Sequence, residues 1–250
     1  MRSADGPVRP RQAPDQAPSG GERAEEQTPA VFRSVLAAFR AGLADQGSLR
    51  AEFSFEDVPA PKKLAPYAAA TSAAVQRDDA EVAWGRLVLL FDPVGHEGWP
   101  GCYRLISYLR AEVDQEIAAD PMLCQVGWDW LIEALEARTP GYGTPSGTVT
   151  RVTTEGFGGK HSEPPVYGFE QRASWSPTVP TGPSGGPGAY GVNGERGAGP
   201  DDDPAALDIA AHVTAWCDSL AAVAGLPPLA PGTHTLPSAR SAESRPRRRR

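Results

Sequence analysis

The residues best placed to do chemistry lie between two apolar runs. Asp92, His96, Glu97 and Trp99 share the segment Asp92-Pro93-Val94-Gly95-His96-Glu97-Gly98-Trp99-Pro100-Gly101. An imidazole, two carboxylates and an indole on one loop are the parts of a small acid/base or binding site. The prolines and glycines around them also account for a backbone reversal with no ligand at all. Trp128, two residues from the stripe residue Trp130 on an expected helix, points away from that stripe and is a candidate neighbour for the loop. The other histidines do not converge: His161 falls in a loop, His212 on an expected helix and His234 near the C-terminus. No pairing of a nucleophile with a base can be assembled from these positions, so a non-catalytic chain is expected.

Two signature matches fail on context. Gly186-Pro187-Gly188-Ala189-Tyr190-Gly191 fits the dinucleotide-binding glycine pattern, and Gly182-Pro183-Ser184-Gly185-Gly186 fits the nucleophile-elbow pattern. Neither follows a strand or opens a helix, which both chemistries require. Cys102, Cys124 and Cys217 are widely spaced, without a Cys-x-x-Cys or a local Cys/His set, and read as three buried apolar thiols. Asp129, Glu133 and Glu136 share a helical face and read as solvated, because open carboxylates hold hard cations weakly. Neither a metal nor a cofactor is expected.

Charge divides the chain. The formal net charge is −7, yet residues 227–250 hold six Arg and one Glu, +5 in all, so the rest carries −12. An acidic body repels phosphate backbones and anionic lipid, leaving Arg245, Arg247, Arg248, Arg249 and Arg250 as the one place where nucleic acid could be held. Residues 1–29, 178–203 and 227–250 are dense in Pro, Gly and charge and are expected to be disordered: an N-terminal arm, an insertion and a tail. The remainder, 30–226 less the insertion, is long enough for one core. The start lacks the apolar core of a secretory signal, and no apolar run reaches bilayer length, so a cytoplasmic protein with reduced thiols is expected.

Periodicity sets out the elements that must carry the loop. Phe32, Val35, Leu36, Phe39 and Leu43 mark a helix ending near Gly47. Leu49 to Val58 alternates with period two. Leu64 to Arg77 fits either element, since Ala68 to Ala70 and Ala73 to Ala74 favour helix while Tyr67, Thr71 and Val75 share one strand face; it is read as a strand because Pro66 bars a helix through its start. Val82 to Phe91 is apolar on both faces toward its end, as a strand covered on two sides would be, and pairs antiparallel with Cys102 to Val113. In the latter, Tyr103, Leu105, Leu109 and Val113 face one way, and Arg104, Arg110 and Glu112 the other. Asp120-Pro121 opens a second helix with Leu123, Val126, Trp130, Leu131, Ala134 and Leu135 inward, stopped by Thr139-Pro140-Gly141. Gly147–Thr154 and Val166–Ser176 form a second hairpin. Asp203-Pro204 opens a third helix on Leu207, Ile209, Val213, Trp216, Leu220 and Val223, stopped by Gly225. The expected fold is α+β: a single domain, a mainly antiparallel sheet of five to six strands and three helices, in the order α-β-β-β-β-α-β-β-α.

With Leu64-Ala65-Pro66, Gly85-Arg86-Leu87-Val88-Leu89-Leu90, Asp92-Pro93, Val126-Gly127-Trp128, Gly147-Thr148-Val149-Thr150, Arg172-Ala173-Ser174-Trp175 and Ala224-Gly225-Leu226-Pro227-Pro228 in view, the chain resembles the actinobacterial domain-of-unknown-function family numbered 3000. The resemblance spans roughly residues 30–177 and 204–228; the glycine-rich insertion and Arg tail depart from that family's more compact pattern. It implies a cytoplasmic actinobacterial protein, and it carries over no functional residue. The element order is also similar to the secretion-chaperone-like α+β fold, a likeness of fold alone. Three function classes follow. A non-catalytic module binding an unknown protein partner through its sheet and tryptophans comes first. A small-molecule sensor or enzyme with a pocket between sheet and helices is second, and a nucleic-acid-associated protein acting through its tail is third.

Overall fold

Apolar residues recurring every three or four positions and then every second position build two layers. The computed structural model describes residues 28–179 and 205–229. The expected N-terminal arm, insertion and tail lie outside the described residues, apart from Thr28, Pro29, Thr178, Val179 and Pro227–Leu229. The elements are α1 (Ala30–Leu49), β1 (Phe53–Asp57), β2 (Tyr67–Arg77), β3 (Ala80–Phe91), β4 (Tyr103–Glu112), α2 (Gln115–Ala119), α3 (Leu123–Arg138), β5 (Tyr142–Thr154), β6 (Val166–Pro177) and α4 (Ile209–Val223). Among the described residues no helix is long and apolar enough to cross a membrane.

All six strands join one antiparallel sheet in the order β1-β2-β3-β4-β6-β5. The expected α+β class and element order hold, with two additions among the described residues: the five-residue helix α2 before Asp120 and a single 3-10 turn, Gly158–Lys160, between β5 and β6. Several boundaries move for local reasons. α1 runs to Leu49 and is closed by Arg50, whose N–H donates to the Gln46 carbonyl, so residues 49–52 are helix end and turn rather than strand. α4 begins at Ile209, where the Asp208 carboxylate accepts from the Ala211 amide and caps the helix; the expected start Asp203-Pro204 lies outside the described residues. In α3 the expected inward residue Val126 is exposed and Gly127 is buried instead. A Cβ there would run into the Phe169 ring, so glycine lets the helix sit on β6.

Helices α1, α4 and α3 lie side by side on one face of the sheet, α4 between the other two. The core fills that interface: Leu87, Leu89, Leu105, Leu109 and Trp175 from the strands meet Phe39, Leu131, Trp216 and Leu220 from the helices. Two glycines permit close approach, Gly42 of α1 against Ala210 and Val213, and Gly85 of β3 beneath Trp216 and Leu220. The opposite face carries no helix among the described residues. At one end of it the loop after β1 and the β3–β4 turn fold over β2 and β3. There Val58, Ala60, Ala65 and Trp99 pack on Ala70, Val88 and Leu90, which is why the end of β3 is apolar on both sides.

Candidate interaction face

The β3–β4 turn holds the loop residues by its own hydrogen bonds. The Asp92 carboxylate accepts from the Val94 amide at 3.0 Å, the Asp92 carbonyl accepts from the Gly95 amide, and the His96 carbonyl from that of Trp99. The His96 ring stacks on Trp99, centroids 4.8 Å apart, with its Nδ1 2.8 Å from the Glu97 carbonyl oxygen. His96 and Glu97 are exposed, whereas Trp99 is half-buried on the helix-free face. Asp92, His96 and Trp99 are therefore one structured turn whose indole serves packing as well as display.

Trp128 is elsewhere. It lies on the helix-bearing side, half-buried above Gly147 of β5, where a Cβ on that glycine would come within 2.8 Å of the indole. Trp99 packs on the other side of the sheet, so the expected pairing of Trp128 with the turn does not occur. The arginines 245 and 247–250, His234 and both glycine signatures lie outside the described residues. Of the cysteines, Cys217 alone is buried; Cys102 and Cys124 are half-buried, against the expectation of three buried thiols. Burial pushes the Cys217 thiol well above its usual range, with Asp218 acting in the same direction. Among the described residues no group of three or more His, Cys, Asp or Glu could hold a metal ion.

The helix-free face brings together residues that sequence reasoning did not single out. Strand register places Ser72, Arg86, Tyr108, Arg172 and Thr148 in one row across five strands, with Ala74, Trp84, Arg110, Glu170 and Thr150 in the next. Within these rows the Trp84 and Tyr108 rings meet edge to face at 5.9 Å, and the Arg172 guanidinium sits 5.2 Å above the Tyr108 ring. Arg172 also reaches Glu170 at 3.4 Å. Partial burial raises the Tyr108 pKa, and the Glu170 carboxylate beside the hydroxyl raises it further. Trp84 and Tyr108 are half-buried; Arg110, Arg172, Thr148 and Thr150 are exposed.

Along the same face Arg104, expected on an outward strand side, is 8% exposed and anchored rather than free. Its guanidinium donates to the hydroxyls of Thr144 at 2.7 Å, Ser174 at 2.7 Å and Ser146 at 3.3 Å, and to the Ser174 carbonyl at 3.2 Å. It ties β4 to β6 and β5, so the platform bearing Trp84 and Tyr108 is braced across its strands. The signal for this face was the period-two alternation of β3, β4 and β6. Strand order was missing from it, and only the β4–β6 pairing sets Arg172 beside Tyr108.

Two results come from comparison with known proteins. The model of a family described as Protein of unknown function (DUF3000) matches residues 28–233. No curated protein and no solved structure matches the chain.

Proposed function

Because the chain belongs to the family described as Protein of unknown function (DUF3000), which brings no activity with it, we propose a function from the site alone: a non-catalytic module that binds a partner protein on the helix-free face of its sheet. The observation that supports this is the Trp84–Tyr108–Arg172 cluster beside the exposed Arg110. Trp, Tyr and Arg are the side chains that dominate binding energy at protein interfaces. Mounted on paired strands, they lose little freedom when a partner arrives. The partner surface that fits is a carboxylate flanked by apolar groups, the carboxylate on Arg110 and Arg172 and the apolar groups against Trp84. The turn carrying His96, Glu97 and Trp99 forms the rim at the other end of this face. Cys124 and Cys217 are free thiols, which fits a reducing cytoplasm.

A photo-crosslinking amino acid tests the proposal when placed at the exposed Thr148 of β5 in cells that normally make the protein. It should give one discrete protein adduct that Trp84→Ala or Arg110→Glu removes. The same group at the exposed Val126, on α3, should not give that adduct. Adducts that ignore both substitutions, or that form equally from position 126, refute the assignment.

A further inference from the structure

On the other side of the molecule, independent of the sheet face, a buried arginine is part of the lining of a groove. Arg50 closes α1 and is 4% exposed. Its guanidinium donates to the Pro227 carbonyl at 2.9 Å, just past α4. Its Nε–H is buried and has no hydrogen-bond partner, and no carboxylate lies within ion-pair distance among the described residues. Guanidinium offers five N–H donors and cannot shed its charge, so burial with so few acceptors is costly. The carbonyl-rich C-terminal end of α1 offsets part of that cost. It leaves the Nε donor unused.

The groove that Arg50 lines has a volume of about 350 Å³, at the small end for ligand pockets, and runs between α3, α4 and residues 226–229. Trp130, Ala134, Ala221 and Leu226 give it an apolar wall. Two of the remaining charges cancel, because Arg138 Nε and Asp218 are paired at 2.7 Å. The exposed Glu133 also lines the groove. A buried cation with no carboxylate partner in the lining, an indole and aliphatic walls, and a carboxylate on the solvent side define the occupant by complementarity.

We propose that this groove binds a small carboxylate with an apolar body, its carboxylate on Arg50 and its body against Trp130 and Leu226. Two ligand types share that chemistry. A simple organic acid uses Arg50 alone, and a free apolar amino acid adds an ammonium group facing Glu133.

Calorimetric titration of the full chain tests it with 4-phenylbutyrate, L-phenylalanine and the uncharged 4-phenylbutanol. Both carboxylates, or one of them, should bind at least about tenfold more tightly than the alcohol. Arg50→Gln should abolish that advantage. Because Arg50 also holds Pro227 and its loss could unfold the domain, Ala222→Phe supplies a second variant: it fills the groove from its α4 wall and leaves Arg50 in place. Binding should be lost there while the melting temperature stays within a few degrees. A preference for phenylalanine that Glu133→Gln removes assigns an amino acid; an equal or better fit of phenylbutyrate assigns a simple acid. The proposal is overturned if no carboxylate binds, if the alcohol binds as well, or if Ala222→Phe binds phenylbutyrate or phenylalanine unchanged.

Discussion

The two faces of one sheet are built from the same strands and do opposite work. Toward the helices, alternate residues of β3 and β4 are Gly85, Leu87, Leu89, Leu105 and Leu109, with Trp216 and Leu220 of α4 closing over Gly85. Toward the other side, the intervening residues are Trp84, Arg86, Tyr108 and Arg110. A period of two lets a strand serve two environments without compromise. The polar exceptions mark the division. On the covered face His212 is wholly buried and accepts a hydrogen bond from Trp175 Nε1 at 3.2 Å, whereas on the open face arginines and aromatics contact one another at the surface. Large stability effects should therefore come from the covered face, and functional effects without stability effects from the open one.

The largest effect should follow Trp216→Ala. Its indole is fully buried against Gly85, and its removal leaves a cavity that the strands beneath cannot collapse to fill. A loss of about 3–5 kcal/mol is expected, read as a lower midpoint in urea unfolding. A loss below 1 kcal/mol would mean that α4 is not the keystone of the covered face.

Next is acid. Burial lowers the His212 pKa from 6.5 to about 3. Its folded pKa is below its unfolded value, so its contribution is complete above pH 6.5 and drains away as pH falls toward 3, where the unfolded chain takes up a proton that the folded one refuses. By pH 4.5 this one group should remove on the order of 2–3 kcal/mol. His212→Asn keeps an acceptor for Trp175 and has nothing to titrate, so its stability should fall less steeply between pH 6.5 and 4.5. Parallel curves for the two proteins would contradict the burial argument.

A smaller cost is expected at Gly127→Ala. The added methyl meets the Phe169 ring, while Gln171 Nε2 donates to the Gly127 carbonyl at 2.6 Å and holds α3 in place, so the helix cannot slide away freely. About 1–3 kcal/mol should be lost, and Phe169→Leu should recover part of it in a double-mutant cycle.

Much of this division was legible before any coordinates. The stripes Phe32-Val35-Phe39-Leu43 and Leu207-Ile209-Val213-Trp216-Leu220 are buried as their spacing requires, and Leu64–Arg77 contains strand β2. Position 126 misled because valine is apolar while its glycine neighbour carries no hydrophobic signal; a close approach to Phe169 decides the packing there. Arg104 misled in the opposite way, because a cation reads as solvent-facing unless the hydroxyls of Thr144, Ser146 and Ser174 are known to converge on it from other strands. Strand order had no local signature. Without the β4–β6 pairing, Tyr108 and Arg172 are two unrelated polar-side residues 64 positions apart, whereas in the turn the chemistry-bearing residues are neighbours in sequence.

The smallest stability effects and the sharpest functional ones belong together on the open face. Trp84→Ala and Arg172→Ala remove half-buried and exposed groups whose contacts are with each other's neighbours, so each should cost no more than about 1 kcal/mol. A double-mutant cycle between Tyr108→Ala and Arg172→Ala should give a coupling of about 0.5–1 kcal/mol, the size of a cation–π contact at an exposed site. The crosslink from position 148 should nonetheless disappear in both Trp84→Ala and Arg172→Ala. A stability loss of 3 kcal/mol or more at Trp84 would make this face a second core beneath a cover supplied by the chain itself. The tryptophan would then be a packing residue like Trp216, and the contrast between the two faces would fail.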